Sequence, residues 1–176
     1  MALAAYDRAA VHTARMLMEE DPTAAITLLR EGLDAPANLG EGRHPAHGMA
    51  ERLVALGDAL GLAGDKEAAR EAWEQACQEG SSLAVDPAPA VPADYWRGIA
   101  HSRLERQEEA DRIWRSLETR AGELESAPST PDYFATSLPE LLLFDTDTDS
   151  SRTDEAKSLH ELAARGRAHQ KEKATL

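Results

Sequence analysis

Apolar residues recur every three or four positions along most of the chain, which is the period of one face of an α-helix. The first segment shows this pattern with Leu3, Tyr6, Ala10, Ala14 and Leu17. The same period predicts helices over residues 3–20, 22–33, 49–62, 66–78, 93–103, 108–125, 133–144 and 153–171. The chain is therefore predicted to consist of helices joined by shorter breaks.

The breaks between the predicted helices carry residues that stop and restart helices. Asp21 can cap a helix that has Pro22 at its first position. Gly64 can adopt a positive φ and Asp65 can cap the helix that follows, so the third and fourth helices are predicted to form an antiparallel pair. The acidic run 145–149 is predicted to be a loop that ends the seventh helix. Longer breaks containing proline lie at 36–48, 81–92 and 127–131.

Composition supports a helical fold. The 176 residues include 33 Ala and 21 Leu but only 7 Val and Ile together, and Ala and Leu favour helices while β-branched residues favour strands. Apolar residues make up 42% of the chain, which is enough to bury one core. We therefore predict an all-α protein with one domain over residues 1–176.

The acidic net charge of the chain limits the kinds of molecule that it is expected to bind. The chain has 19 Lys and Arg against 32 Asp and Glu, a formal net charge of −13, so nucleic acid is not expected as a partner. Residues 105–155 hold 14 acidic residues against 5 Arg, which favours a basic protein or peptide. Cys77 is the only cysteine, and Asp58 interrupts the most apolar stretch, so we expect a cytoplasmic protein with no membrane association.

Residues 50–81 resemble a tetratricopeptide repeat (TPR). The resemblance lies in large residues, small residues and a turn glycine at the spacing of that family: Leu53, Leu56, Gly57, Leu60, Gly64, Ala69, Trp73 and Ala76. In this pattern Gly57 and Ala69 let two helices approach, and Trp73 is expected to be a buried side chain that fills the groove toward the neighbouring pair.

A second, degenerate repeat follows. Gly98, Ala110 and Trp114 keep the spacing, whereas Arg97, His101 and Glu105 replace the usual Leu, Tyr and Gly. An N-terminal segment matches only through Ala25 and Leu29. The resemblance implies a short α-solenoid of helical hairpins, with repeats near 3–35, 49–80 and 93–126, closed by a C-terminal capping helix.

A narrower resemblance lies in the connections. Residues 36–45, PANLGEGRHP, and 132–144, DYFATSLPELLLF, are similar to segments of a group of large bacterial TPR proteins. In that group the repeats follow a β-rich N-terminal domain of unknown function that is thought to be related to carbohydrate-active enzymes. That domain has no counterpart in these 176 residues, so the resemblance implies no catalytic role for them.

Two candidate metal sites are rejected on sequence grounds. The first combines Glu41, His44 and His47, which are zinc-type ligands, but Pro45 separates the histidines and no fourth ligand is adjacent. The second is the aspartate run that begins at Asp145, which lacks the glycine and the bidentate glutamate of a calcium loop. We expect no metal and no cofactor.

Five residues of the two distinctive loops are candidate partner-binding residues: Asn38, Arg43, His44, Asp132 and Tyr133. The four polar residues either line a groove or hold the loops by hydrogen bonds to the backbone, and the alternative for Tyr133 is a place in the core. Arg43 and Tyr133 are predicted to share one site, where Arg43 offers a fork of donors and Tyr133 an amphipathic contact surface.

No catalytic constellation is recognisable, and Cys77 is expected to be unreactive. The predicted function is a non-catalytic scaffold that binds a protein or peptide on the concave face of the repeats, with a homodimer left open. The alternative is an accessory or substrate-contacting module of a carbohydrate-active enzyme.

Overall fold

The computed structural model of the chain describes residues 2–34, 48–79, 89–127 and 148–174. Within these ranges the backbone is helical and contains no strand. The helices are α1 (Ala2–Leu17), α2 (Pro22–Glu31), α3 (Ala50–Leu62), α4 (Lys66–Gln78), α5 (Asp94–Arg103), α6 (Gln107–Ser126) and α7 (Thr148–Ala174). The all-α prediction is confirmed for the described residues, and the helix predicted over 133–144 lies outside them.

The capping residues read from the sequence begin the helices as predicted. The Asp21 carboxylate accepts a hydrogen bond from the backbone N–H of Ala24 at 2.9 Å, with Pro22 in the first turn of α2. Asp65 accepts from the backbone N–H of Ala68 at 3.1 Å at the start of α4. Each carboxylate satisfies one of the backbone donors that a helix N-terminus leaves unpaired.

The helices pack in chain order. Each helix contacts the next one along the sequence, and in addition α1 contacts α3, α3 contacts α5 and α5 contacts α7. The first helices of the pairs α1–α2, α3–α4 and α5–α6 therefore lie side by side, and α7 continues that row. We call the surface carried by α1, α3 and α5 the first-helix face.

Two clusters of buried side chains form the core. One lies among α1 to α4 and includes Val11, Leu29 and Leu60. The other lies among α3 to α7 and includes Trp114 and Leu159. Partly buried Leu33 and Trp73 pack against both clusters, so the hydrophobic interior continues from one pair to the next.

The hairpins α3–α4 and α5–α6 share a contact between a glycine and a tryptophan. Trp73 lies on Gly57, where a Cβ would come within 2.3 Å of its Nε1, and Trp114 lies on Gly98, where a Cβ would come within 2.2 Å of its Cη2. The two contacts are 41 positions apart in the chain. Trp73 is only partly buried, so the expectation of a buried Trp73 is wrong, and Trp114 is the tryptophan that is fully enclosed.

The turns of these two hairpins also match. Gly64 has φ 89° and Glu105, 41 positions later, has φ 64°. The N–H of Asp65 donates to Leu60 O at 3.0 Å, and the N–H of Arg106 donates to His101 O at 2.9 Å. Both helices therefore end with the same left-handed turn, although Glu105 pays a steric cost there that glycine does not.

Helix α7 covers α5 and α6. It begins at Thr148, so the prediction that the acidic run 145–149 is entirely a loop is wrong at its C-terminal end. Acidic residues suit the first turn of a helix because they complement its dipole. Gly166 of α7 lies on Trp114, where a Cβ would come within 2.6 Å of the indole ring.

Candidate binding surfaces

The five candidate residues from the sequence, Asn38, Arg43, His44, Asp132 and Tyr133, all lie outside the described residues. The same holds for Glu41 and His47 of the rejected zinc hypothesis, and for Asp145. Within the described ranges, no group of three or more His, Cys, Asp or Glu side chains is placed to hold a metal ion. The described helices do contain other groupings of polar and aromatic side chains.

The first-helix face carries a row of three interacting side chains. Arg15 of α1 donates to Glu51 Oε1 of α3 at 2.8 Å, and its guanidinium carbon lies 4.5 Å from the ring centroid of Trp96 on α5. The Arg15 and Glu51 side chains are 38% and 37% exposed. One cation thus joins a carboxylate and an aromatic ring across three helices.

Beside this row, a buried arginine fixes α1, α2 and α3 to one another. Arg52 donates from Nη2 to Asp7 Oδ1 at 2.8 Å and from Nη1 to the carbonyl of Leu29 at 3.3 Å. Its guanidinium occupies space that only a glycine at position 32 leaves open, since a Cβ there would come within 1.8 Å of Nη1. Because Asp7 supplies a carboxylate, the buried charge is paired.

Asp7 and Arg52 also line an open cleft of about 370 Å³ between α1 and the start of α3. The lining residues that carry charge are Asp7, Arg8, Glu51 and Arg52, and Val11 and Met49 add apolar surface. Charges of both signs lie close together in this cleft, so its lining does not favour ligands of one sign.

A second cleft, of about 480 Å³, lies where the turns of the hairpins α3–α4 and α5–α6 meet. We call it the turn-edge cleft and define it by Gly61, Lys66, Ala69, Arg70, Trp73, Arg103, Leu104 and Glu105. The surrounding protein carries a net charge of −13, yet three of these eight residues are cationic and only Glu105 is anionic.

A hydrogen-bonded network supports the base of the turn-edge cleft. Asp58 Oδ1 accepts from Trp73 Nε1 at 3.2 Å and from Arg103 Nε at 2.8 Å, and Asp58 Oδ2 accepts from Arg103 Nη2 at 3.0 Å. Hydrogen bonding to Asp58 raises the pKa of Arg103 above its ordinary value. Arg103 Nη1 also contacts Nε2 of His169 on α7, which accepts because a guanidinium only donates.

A polar contact joins the residue that precedes α6 to α4. Arg106 holds the carboxylate of Glu74 with two hydrogen bonds, one of them 2.9 Å long. Burial lowers the pKa of the nearby His101, and the positive charge of Arg106 lowers it further. Burial raises the pKa of Cys77 to about 11, so its thiol stays protonated at neutral pH and is a weak nucleophile.

Sequence reasoning missed the turn-edge cleft because its residues come from two hairpins. Asp58 and Arg103 are 45 positions apart, and nothing in their spacing pairs them. The one available signal was Asp58 itself, a carboxylate within an apolar run, because a partly buried charge needs a partner.

No protein-family model matches the chain, and searches of curated proteins and of solved structures also find no match. None of the described helices is both long and apolar enough to cross a bilayer.

Proposed function

We propose that the chain is a non-catalytic scaffold of the tetratricopeptide type that binds a protein or peptide on its first-helix face. The observation that carries this proposal is the row Arg15, Glu51 and Trp96, which spans three successive first helices with partly exposed side chains. Aromatic and arginine side chains are the residues that contribute most to protein interfaces.

The matching hairpins support the assignment to the repeat class. Gly57 with Trp73 and Gly98 with Trp114 pair a glycine with a tryptophan at equivalent positions, and Gly64 and Glu105 make the same turn. In repeat proteins, stacked units of this kind present an extended surface made by equivalent helices, and that surface is where partners bind. The acidic excess of the chain favours a basic partner for this surface.

Affinity capture tests the scaffold directly. The tagged full chain is incubated with native lysate, and the retained proteins are identified by mass spectrometry for wild type, Arg15→Ala, Trp96→Ala and the control Arg112→Ala. Arg112 lies on α6 with its side chain 68% exposed, so the control removes a cation away from the first-helix face. We expect one set of partners for wild type and Arg112→Ala, and its loss in the other two variants.

Circular dichroism melts of all four proteins separate a lost partner from a lost fold. Retention of the same partners by Arg15→Ala and Trp96→Ala, with both variants folded, contradicts the proposed surface. Capture of nothing by the wild type contradicts the scaffold itself.

A further inference from the structure

We infer that the turn-edge cleft binds an acidic segment of a partner protein, in which carboxylates flank an aliphatic residue. The inference rests on the proposed function, because it assumes a protein partner, but it concerns a different surface. The first-helix face is made by α1, α3 and α5, whereas the cleft is lined by α4, the last turns of α3 and α5 and the turn that follows α5.

Two cations in the cleft are available to a ligand. Lys66 and Arg70 are four positions apart on α4, so they share one face of the helix, and both are exposed. Within the described residues neither has an ion-pair partner. Arg103, by contrast, is held by Asp58 through two hydrogen bonds, so its charge is already compensated.

Trp73 supplies the apolar part of the cleft. Its ring rests on Gly57 and Gly61 of α3, and its N–H is already donated to Asp58, so the orientation of the indole is set before any ligand arrives. Ala69 and Leu104 extend the apolar lining. A volume of about 480 Å³ is within the range of ligand sites and accommodates about two or three side chains.

The combination selects an acidic peptide rather than a polyanion. An aliphatic side chain fits against Trp73, and carboxylates on either side of it reach Lys66 and Arg70. Nucleic acid would bring many phosphates toward a protein of net charge −13, and the cleft offers only two uncompensated cations. Glu105 at the rim repels an anionic ligand. Removal of its charge should therefore strengthen binding, whereas removal of the charge of Lys66 or Arg70 should weaken it.

The three tryptophans lie at three different places in the protein, so their signals show where in the full chain a peptide binds. Trp73 lines the cleft, Trp96 lies on the first-helix face and Trp114 is enclosed in the core. Their indole N–H signals in ¹⁵N-labelled protein, assigned by Trp→Phe variants, are followed during titration with the blocked peptide acetyl-Glu-Leu-Glu-Glu-Leu-Glu-amide. The control peptide has glutamine at every glutamate.

We expect the acidic peptide to shift the Trp73 signal saturably while the Trp114 signal stays in place. Because even a 1 mM dissociation constant is measurable with about 5 mM peptide, weak binding is detected. Lys66→Gln and Arg70→Gln are each expected to weaken binding about two- to fivefold, and Glu105→Gln to tighten it by a similar factor. The matched control Arg112→Gln leaves the affinity unchanged.

Three results would overturn the inference. The first is no shift of the Trp73 signal at the highest peptide concentration, and the second is equal affinity for the acidic and the glutamine peptide. The third is an affinity for the acidic peptide that is the same in wild type and in the variants at Lys66, Arg70 and Glu105. A shift confined to Trp96 also overturns the cleft, because the peptide then binds at another surface. Failure of the proposed function is read separately, from the capture experiment with Arg15→Ala and Trp96→Ala.

Discussion

The hairpins α3–α4 and α5–α6 each place a tryptophan on a glycine, but different edges of the indole face the glycine and the two rings are buried to different extents. Trp114 is enclosed, because Gly98 lies on one side of its ring and Gly166 of α7 also packs against it. Trp73 rests on Gly57 and remains partly exposed at the turn-edge cleft. The comparison teaches that the helix packed next to a hairpin, rather than the hairpin pattern, decides how deeply its tryptophan is buried.

The less buried of the two tryptophans is the one whose indole N–H is hydrogen-bonded. The indole N–H of the partly buried Trp73 is donated to Asp58, whereas that of the enclosed Trp114 has no partner within the described residues. An unpaired buried donor costs free energy, so the apolar contacts of Trp114 must outweigh that cost. The position of Trp114 therefore depends on packing, and that of Trp73 depends on both packing and a hydrogen bond.

Truncation of the two tryptophans gives the largest expected difference. Trp114→Ala leaves a closed cavity and is expected to lower the free energy of unfolding by about 3–5 kcal/mol. Trp73→Ala removes a side chain that already contacts solvent, so we expect a smaller loss of about 2 kcal/mol. Urea denaturation followed by circular dichroism measures both, and equal losses would contradict the difference in burial.

Adding a methyl group beneath each ring tests the same contact from the other side. Gly98→Ala places Cβ against the enclosed Trp114 ring and is expected to cost about 1–3 kcal/mol, because the ring cannot move away. Gly57→Ala should cost less, since Trp73 can shift toward solvent. Gly122→Ala in α6 is the control: a Cβ there meets nothing within 4 Å, so helix propensity should stabilise it by up to about 1 kcal/mol.

The two turns offer a substitution that stabilises. Glu105 has φ 64°, so Glu105→Gly should relieve backbone strain and raise the free energy of unfolding by about 1 kcal/mol. Gly64→Ala imposes the reverse change on the first hairpin and should lower it by about the same amount. Thermal melts of both variants check the pair, and changes of the same sign would disprove the equivalence of the turns.

The smallest expected effect is the pH dependence of the second hairpin. His101 stands where the first hairpin has Leu60, and its pKa is lowered in the folded state, mainly by burial. The unfolded chain therefore takes up a proton first, so stability is retained above the ordinary histidine pKa of about 6.5 and lost as pH falls through the folded pKa.

Melts of wild type and His101→Leu between pH 7.5 and 5.0 isolate this contribution. We expect the melting temperature of the wild type to fall more steeply below about pH 6.5 than that of the variant. The exposed His12 serves as the control through His12→Gln. If the melting temperatures of wild type and His101→Leu depend on pH in the same way, His101 does not contribute to the loss of stability at low pH.

Local signals made most of the described helices predictable. Apolar residues at helical spacing gave α3 and α4 their approximate bounds, and Asp21 and Asp65 marked starts that the structure confirms. Such features act within a few residues, so they can be read along the chain. The start of α7 was missed because a run of aspartates suits a loop and the first turn of a helix equally well.

Relations between distant residues were not predictable in the same way. Periodicity places Trp73 and Trp114 at equivalent positions, but their burial depends on α5 and α7, which lie further along the chain. The turn-edge cleft depends on Asp58 meeting Arg103 from another hairpin. The candidate residues Arg43 and Tyr133 were chosen for their distinctive loops, and their shared site stays a prediction.

Because the three tryptophans are buried to different extents, their fluorescence can report local unfolding of this protein. Trp73 and Trp96 are partly exposed, so we expect a collisional quencher such as acrylamide to reach them in the native state, whereas Trp114 is enclosed and α7 packs on its ring. Quenching of the Trp114 emission under native conditions is therefore expected to report the molecules in which this enclosure has opened. In a double Trp→Phe variant that keeps Trp114, quenching without a matching loss of helical circular dichroism distinguishes detachment of α7 from loss of the whole fold.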